Sequence, residues 1–555
     1  MKNILKSILL TLLFSSVYGQ SIDTALDSLF LRWNNDLVKQ PGIAASIIKD
    51  GTPIYQKTFG SANLEYHVKL SRNSVFDIAS LAKQFTGFAI AKLELDGKLK
   101  LAEPLSEYFP EMEDLLQGMT IQHLIHHTSG LRDIGELFDI GHFGSELTLE
   151  KTIEIMRKQR SLNFQPGSES DYSNTNYVLL ARIVEIITEK TFRKWCDENI
   201  FRPLEMTSSF ANDNPQEIIP NRAVAYYENQ GEFTFDQNNG MSLIGSSAVY
   251  STISDLEKWA MNLLSNPSYQ KLFSKMQNNG SLIDGTTVDY GFGLATRDHK
   301  NKKMVFHSGS TPSGFRTSIA LFPEEKSAII LLSNFGNIDL LRQFQLPIFD
   351  IIFDVNTKDT EVNLEEESLV FVQLSPQEKE NIIGDYLFNG ERKVKIRSSE
   401  SGLTVQPEGA PEMELNPISS NEIYFPGFKS TIVFEKNNGG PFERATIISG
   451  GEKAGSLSRV EAANLDKINL DQYVGNYYNE ELNLLWTIES FDDQIVINDS
   501  KHGSIHFNSI SRHSFRADPR MNMLLKFEED SENSVSSLKI NRGSRLRNLT
   551  FVKMD

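Results

Sequence analysis

Apolar positions in the first two thirds of the chain predict two pairs of neighbouring strands. Residues 45–48 and 52–59 are separated by a turn that ends in Gly51, which favours a β-hairpin. Residues 317–322 and 327–332 are two further apolar runs, separated by a short polar turn. We therefore expect both ends of this region to contribute strands.

A longer hydrophobic period indicates helices between these strands. In residues 80–96, Phe85 and Leu93 lie on one apolar stripe, so this segment predicts a helix. Residues 177–190 predict another. Strands and helices mixed in this way indicate an α+β domain over residues 21–354.

From residue 376 the pattern changes to short alternating β runs that repeat at a nearly constant interval. We interpret them as two tandem all-β domains, 376–462 and 466–555, each with six to eight strands. Closure into small antiparallel β-barrels would remove exposed sheet edges. A single larger β-sandwich is the alternative. The matched positions are Ile383-Gly384-Asp385-Tyr386 with Val474-Gly475-Asn476-Tyr477 and Tyr424 with Phe515, all 91 residues apart, Phe434 with Phe527, 93 apart, and Ile448 with Ile540 and Val460 with Val552, both 92 apart.

The segment 355–375, between the α+β region and the repeats, is rich in carboxylates. We interpret it as an acidic linker. Its acidic residues include Asp359, Glu361, Glu365, Glu366 and Glu367.

The first 19 residues have the pattern of a cleavable secretory signal. Lys2 and Lys6 precede an apolar run, and small residues follow up to Gly19. We expect cleavage after Gly19 and a periplasmic or secreted protein without a membrane anchor.

Charge and cysteine content narrow the function classes. The formal net charge is −18, and an acidic surface repels phosphate backbones, so nucleic acid is not an expected partner. The one cysteine, Cys196, excludes intramolecular disulfides and cysteine-rich metal sites. Its place in an apolar helical stretch favours a packing role over a nucleophilic one.

Ser80 and Lys83 form the first candidate catalytic pair. They lie three residues apart in a predicted helix and so share a face. Such a lysine can take the serine proton if burial or neighbouring charge lowers its pKa. The first N–H groups of a helix lack internal partners, so the N–H of Ser80 can help to hold an oxyanion.

Ser-x-x-Lys alone is not specific, because it also begins at Ser46, Ser268 and Ser536. Two later motifs distinguish the pair at Ser80. Tyr172-Ser173-Asn174 lies 92 residues after Ser80, behind a Pro-Gly turn. His307-Ser308-Gly309-Ser310 lies a further 135 residues on. The order of these motifs indicates nucleophilic catalysis without a metal or an organic cofactor.

A cluster of three histidines offers a competing interpretation. His123, His126 and His127 lie close together, which raises the possibility of a metal site. We favour a turn instead, because no carboxylate or further histidine lies at ligand spacing.

With these motifs the chain resembles the serine β-lactamase and penicillin-binding DD-peptidase superfamily, in its class-C β-lactamase, D-aminopeptidase and esterase branch. The resemblance covers about residues 40–335. It rests on Phe76-Asp77-Ile78-Ala79-Ser80-Leu81-Ala82-Lys83, Asp96-Gly97-Lys98-Leu99, His127-Thr128-Ser129-Gly130-Leu131, Pro166-Gly167 with Tyr172-Ser173-Asn174, Pro203-Leu204-Glu205-Met206, Ser251-Thr252-Ile253-Ser254-Asp255-Leu256, Tyr290-Gly291-Phe292-Gly293 and His307-Ser308-Gly309.

The resemblance implies both a fold and a set of roles. The fold is an antiparallel sheet flanked by helices, plus an all-helical region, with the site between them. Ser80 would be acylated, and Lys83 and Tyr172 would share proton transfer, with the order between them left open. Asn174 would position a substrate amide or Lys83. Backbone N–H groups of Ser80 and Ser310 would form the oxyanion hole.

His307 departs from the class-C pattern, which has lysine in this motif. An imidazole suits a substrate carboxylate less well than a permanent cation. We count His307 among the catalytic residues, with Ser308 and Gly309 as substrate-positioning residues. His307 and the tandem β domains both look like the D-aminopeptidase members.

We therefore expect a serine hydrolase that acts on small peptides or amides, including those with D-residues, or on esters. The alternatives are a true β-lactamase and a non-catalytic penicillin-recognising or partner-binding protein. The intact set of catalytic residues argues against the non-catalytic one.

Overall fold

The computed structural model divides the chain into two compact units, Met1–Lys358 and Asp359–Asp555. The proposed signal segment and most of the acidic linker lie outside the described residues. The domain boundaries given above therefore stay predictions. The structure describes residues 22–31, 39–235, 242–353, 371–389, 392–399, 402–408, 410–428, 430–435, 440–449, 452–460, 468–518 and 521–554.

The first unit is built on a six-stranded antiparallel sheet in the order β12-β13-β14-β15-β1-β2. Strands from both ends of the unit meet at its centre, where Ile47 pairs with Ile329. This confirms both predicted strand pairs. The strands of the unit are β1 Ile43–Lys49, β2 Thr52–Phe59, β3 Ser61–Asn63, β4 Val68–Lys69, β5 Phe76–Asp77, β6 Phe210–Ala211, β7 Tyr227–Asn229, β8 Glu232–Thr234, β9 Val249–Ser251, β10 Gly280–Ser281, β11 Thr287–Val288, β12 Ala295–His299, β13 Lys302–Ser310, β14 Arg316–Phe322 and β15 Ser327–Ser333.

Helices flank this sheet and also form a separate helical region. The predicted helix over 80–96 is a 3₁₀ turn, Ala79–Ala82, that continues directly into α2. The helices are α1 22–31, α2 Lys83–Leu95, α3 Ile121–Ile125, α4 Ile134–Gly141, α5 Leu149–Met156, α6 Asn174–Thr188, α7 Phe192–Cys196, α8 Ile253–Ser265, α9 Pro267–Met276 and α10 Leu346–Ile352, with further 3₁₀ turns at Leu105–Glu107 and Pro110–Met112 and π-helical turns at Asp197–Phe201 and Leu341–Gln345.

The core of the first unit lies between one sheet face and the helices α1 and α10. Ala45, Ile47 and Leu331 pack there against Phe30 and Phe349. Removing such apolar area from water is the main stabilising contribution to folding. The other face of the sheet contacts α8 and the 3₁₀ turn that precedes α2. This packing holds the turn against the sheet.

The second unit contains two closed antiparallel barrels of eight strands each. This confirms the predicted fold class and excludes the single sandwich. Helix α11, Pro376–Ile382, precedes the first barrel, and the 3₁₀ turn Leu470–Tyr473 precedes the second. The strands are β16 Gly384–Phe388, β17 Arg392–Ser398, β18 Leu403–Pro407, β19 Met413–Pro417, β20 Glu422–Phe425, β21 Ser430–Phe434, β22 Arg444–Ser449, β23 Glu452–Arg459, β24 Gly475–Asn479, β25 Leu484–Phe491, β26 Gln494–Asp499, β27 Gly503–Ser511, β28 Ser514–Ala517, β29 Met523–Glu529, β30 Val535–Arg542 and β31 Leu546–Lys553.

A repeated glycine–cation contact accounts for the first matched motif of the two barrels. Arg459 crosses Gly384, where a Cβ atom would lie 2.2 Å from its Nη1. Its guanidinium donates to the carbonyl oxygen of Asn381 at 2.7 Å. In the second barrel a Cβ atom on Gly475 would lie 2.9 Å from Cε of Lys553. The repeat therefore preserves the room that a long basic side chain needs.

No helix in the part of the chain that the structure describes is both long and apolar enough to cross a membrane.

Candidate active site

The proposed nucleophile lies in a tight turn at the edge of the sheet. Ser80 belongs to the 3₁₀ turn before α2, and Ala79 adopts a left-handed φ of 52°. Asp77 Oδ1 accepts the N–H of Ala79 at 2.8 Å and so holds this strained position. Residues three apart eclipse in a 3₁₀ helix, which places Lys83 beside Ser80.

Lys83 is fully buried, and its ammonium group donates hydrogen bonds to a hydroxyl, an amide and a backbone carbonyl. Nζ donates to Ser80 Oγ at 3.2 Å, to Asn174 Oδ1 at 2.8 Å and to the Ser246 carbonyl oxygen at 2.8 Å. The structure therefore brings the proposed nucleophile, base and amide together. Ser246 completes the set and carries no sequence signal, because it acts through its backbone.

Tyr172 lies against the same ammonium group. Its ring centroid is 4.7 Å from Lys83 Nζ, within the range of a cation–π contact. The ring also lies 4.4 Å from the ring of His127 and 6.1 Å from that of His307. The Tyr172 ring thus lies close to both Lys83 and His307.

Asp133 fixes the start of the helix that carries Asn174. Its Oδ2 accepts the N–H of Asn174 at 2.6 Å, and its Oδ1 accepts the N–H of Gly135 at 2.8 Å. One buried carboxylate therefore joins the N-termini of α4 and α6, where negative charge is favoured. The sequence analysis did not identify Asp133, although an aspartate before a helix is a capping signal.

The motif His307-Ser308-Gly309-Ser310 lies at the end of β13, on an open edge of the sheet. Strand β12 begins at Ala295, opposite Phe306, so residues 307–310 have no neighbour on that side in the six-stranded sheet. Thr311 N–H donates to the Phe315 carbonyl at 3.1 Å. Because antiparallel pairs alternate, the N–H and C=O groups of Ser308 and Ser310 then point to the open edge. That edge is where an oxyanion-hole donor is needed.

Gly309 allows this strand to approach the turn that carries Ser80. A Cβ atom at this position would lie 2.8 Å from the Ile78 carbonyl oxygen and 2.9 Å from Ala79 Cβ. Glycine is therefore required for β13 to lie this close to Ile78 and Ala79. The shared role of Ser80 and Ser310 in an oxyanion hole stays a prediction.

His307 is buried, and both ring nitrogens have partners. Nε2 lies 2.9 Å from the Tyr290 hydroxyl, and Nδ1 lies 2.6 Å from the Ser308 carbonyl oxygen. Burial, reinforced by the charge of Lys83, lowers the pKa of His307 to about 3. The imidazole is therefore neutral at physiological pH. Tyr290 belongs to one of the motifs that carry the family resemblance, but no local sequence signal indicates its contact with His307.

Hydrogen bonds hold the three clustered histidines in the manner of a structural turn. His123 completes a capping box with Thr120. His126 Nδ1 lies 2.7 Å from the Tyr290 carbonyl oxygen, and His127 Nδ1 accepts the N–H of Ser173 at 3.2 Å. The cluster therefore packs against the rings of Tyr172 and Tyr290 in the site.

Comparison with known proteins places this site in a family. The family model described as Beta-lactamase matches residues 32–339, more than half of the chain. Protein flp from Staphylococcus aureus (strain MRSA252) is 30% identical over 329 residues, which cover 57% of this chain and 63% of that protein. The match thus spans less than two thirds of that relative.

Two solved structures share the fold. The octameric penicillin-binding protein homologue from Pyrococcus abyssi has a TM-score of 0.53 and 22% identity, covering 79% of this chain and 99% of that one. D-amino acid amidase from Ochrobactrum anthropi SV3 has a TM-score of 0.51 and 19% identity, covering 60% and 99%. These likenesses and the family match confirm the resemblance inferred from the motifs: the chain belongs to the beta-lactamase family.

Proposed function

We propose that this protein is a serine hydrolase that forms an acyl-enzyme on Ser80 with small amides or peptides, including those with D-residues, or with esters. The observation that carries the proposal is the contact of buried Lys83 with both Ser80 Oγ and Asn174 Oδ1. This arrangement joins a nucleophile to a group that can take its proton.

The proposed reaction has two steps. Ser80 Oγ attacks the substrate carbonyl carbon while its proton passes to Lys83 in its neutral amine form or to Tyr172 as phenolate. The carbonyl oxygen becomes an oxyanion against the N–H groups of Ser80 and Ser310, and the proton is delivered to the departing amine or alcohol. Water then attacks the acyl carbon and releases the acid, which restores Ser80.

Amide substrates are favoured over β-lactams for an electrostatic reason. The neutral imidazole of His307 stands where class-C β-lactamases have lysine, so it offers no cation to a carboxylate. The fold likeness to a D-amino acid amidase, a structure complexed with D-phenylalanine, is consistent with this choice. A true β-lactamase remains the second candidate, supported by the family match.

A periplasmic or secreted location is part of the same proposal. It rests on the signal-like pattern of the first 19 residues, which end at Gly19. N-terminal sequencing of the protein recovered from the medium or the periplasm tests it.

Covalent labelling tests the nucleophile. A fluorophosphonate or a fluorescent penicillin should add mass to the peptide that contains Ser80, and Ser80→Ala should lose both labelling and turnover with its melting temperature nearly unchanged. Ser268→Ala, which removes an exposed serine of another Ser-x-x-Lys sequence, is the matched control. Labelling that persists in Ser80→Ala overturns the assignment.

A substrate screen separates the candidates. We expect turnover of p-nitroanilides of D-amino acids or of small esters. Efficient hydrolysis of nitrocefin, with little turnover of anilides, would instead support the β-lactamase.

A further inference from the structure

The two hydrogen bonds of His307 determine which ring nitrogen carries its proton. A carbonyl oxygen can only accept, so Nδ1, at 2.6 Å from the Ser308 oxygen, carries the hydrogen. A neutral ring then has its lone pair on Nε2. The Tyr290 hydroxyl, 2.9 Å away, therefore donates to Nε2.

The groups that face this ring preserve that arrangement. Lys83 approaches from α2, Tyr172 from the segment before α6, and Tyr290 from the loop before β12. On the neighbouring strand β14, His307 pairs with Ile319, which does not titrate. A positive imidazole would be repelled by Lys83, and burial raises the pKa of Tyr290 well above its usual value. The phenol therefore keeps its proton, with Nε2 of His307 and the hydroxyl of Tyr177 as its neighbours.

Tyr290 is itself held at two points. Its carbonyl oxygen lies 2.7 Å from His126 Nδ1, which donates to it by the same argument. Its ring packs 4.7 Å from the ring of His127. His126 and His127 therefore fix the position of the Tyr290 hydroxyl without any contribution from substrate.

We propose that Tyr290 is a positioning residue of this site: its hydroxyl fixes His307 as the neutral Nδ1–H tautomer, which in turn holds the Ser308 carbonyl at the open sheet edge. The role rests on the proposed function, because it matters only if substrate lies along that edge.

This arrangement determines which substrates fit. The Ser308 carbonyl already accepts one hydrogen bond from His307, and the imidazole adds no charge. An acyl group with an uncharged substituent beside His307 is therefore accommodated, whereas a carboxylate there would lose its hydration without gaining a cation. The substrate class is neutral amides and esters.

The test uses the full-length protein labelled with ¹⁵N-histidine and the variant Tyr290→Phe. In the wild type, His307, assigned by its loss in His307→Asn, should show the Nδ1–H tautomer and should not titrate above about pH 5. In Tyr290→Phe its pKa should rise by about one unit or more, and the acid limb of kcat/KM for a neutral ester should move upward with it.

Tyr226→Phe is the matched control. It removes another buried hydroxyl, one that accepts the N–H of Leu64, and should leave the His307 signals unchanged. A wild-type His307 that is cationic at pH 6, or protonated on Nε2, overturns the proposal, and so does an unchanged titration in Tyr290→Phe. A wild-type His307 protonated on Nε2 refutes the proposal even if Tyr290→Phe fails to fold, because the Tyr290 hydroxyl could then not donate to Nε2. Failure of Ser80 to be acylated would refute the proposed function but not the tautomer.

Discussion

Asp133 accepts the backbone N–H of Asn174 at 2.6 Å and thereby controls the amide that contacts Lys83. Removing this carboxylate in Asp133→Ala frees the start of α6, so we expect acylation of Ser80 to slow by roughly 10- to 100-fold. Stopped-flow labelling with a fluorescent fluorophosphonate, which carries no carboxylate, measures the rate. Asp114→Asn, at an exposed position, is the control, and wild-type acylation in Asp133→Ala would contradict the prediction.

Proton transfer should require a lysine at position 83. Lys83→Arg keeps the positive charge but cannot give up a proton at working pH, so it should be nearly inactive. Steady-state turnover measures this, with Lys271→Arg at an exposed site as the control. An active Lys83→Arg enzyme would show that the residue serves only as a fixed charge.

Charge at position 307 should select the substrate. His307→Lys places a second cation near Lys83, so preference should move toward substrates with a free carboxylate. His307→Asn, which is uncharged and can both donate and accept, should retain the wild-type preference. The ratio of kcat/KM for nitrocefin and a neutral ester measures the shift. Equal ratios in all three proteins would show that charge at this position has no influence.

Asp77 should make the stability of the first unit depend on pH. Burial raises the pKa of this carboxyl from 3.8 to about 6, against the opposing hydrogen bond from Ala79 and the charge of Arg222. The folded state therefore binds the proton more tightly, so this contribution is fully present below about pH 4 and is lost as pH rises through about 6.

Asp77→Asn removes the charge and keeps an acceptor for the N–H of Ala79. It should stabilise the first unit by about 1–2 kcal/mol at pH 8 and have little effect at pH 4. Urea unfolding at the two pH values tests this. Asp298→Asn, at an exposed position, should show no such difference between them. A pH-independent effect of Asp77→Asn would refute the linkage.

A chain shortened to end at Asp354 should fold and be acylated at Ser80, because the first unit has its own core and contains all the proposed catalytic residues. We expect its substrate preference to change if the barrels contribute to selectivity. Acylation rate and substrate profile measure both effects, compared with a chain ending at Ala462. An insoluble product would contradict independent folding.

The fold could be predicted from the sequence where local hydrophobic patterns and turn residues determine the structure. Hydrophobic period and turn residues predicted the hairpin of β1 and β2, and the repeat interval predicted the two barrels. Site residues whose partners are distant in the sequence could not be predicted. Asp133 contacts Asn174 across 41 positions, and Tyr290 reaches His307 from a separate loop. Only the folded chain brings such pairs together. The contact of Lys83 with the Ser246 carbonyl could not be predicted either, because any residue type has a backbone carbonyl.

Gly309 leaves only a narrow space between β13 and the turn that carries Ser80, since even a methyl group there would meet the Ile78 carbonyl at 2.8 Å. Any larger residue would push the nucleophile and the sheet edge apart. Directed evolution toward new substrates therefore has to leave Gly309 constant and act on a position such as 307, where the side chain lies beside Tyr172 in the site. Libraries that vary position 307 and leave the glycine constant should return active enzymes with altered selectivity.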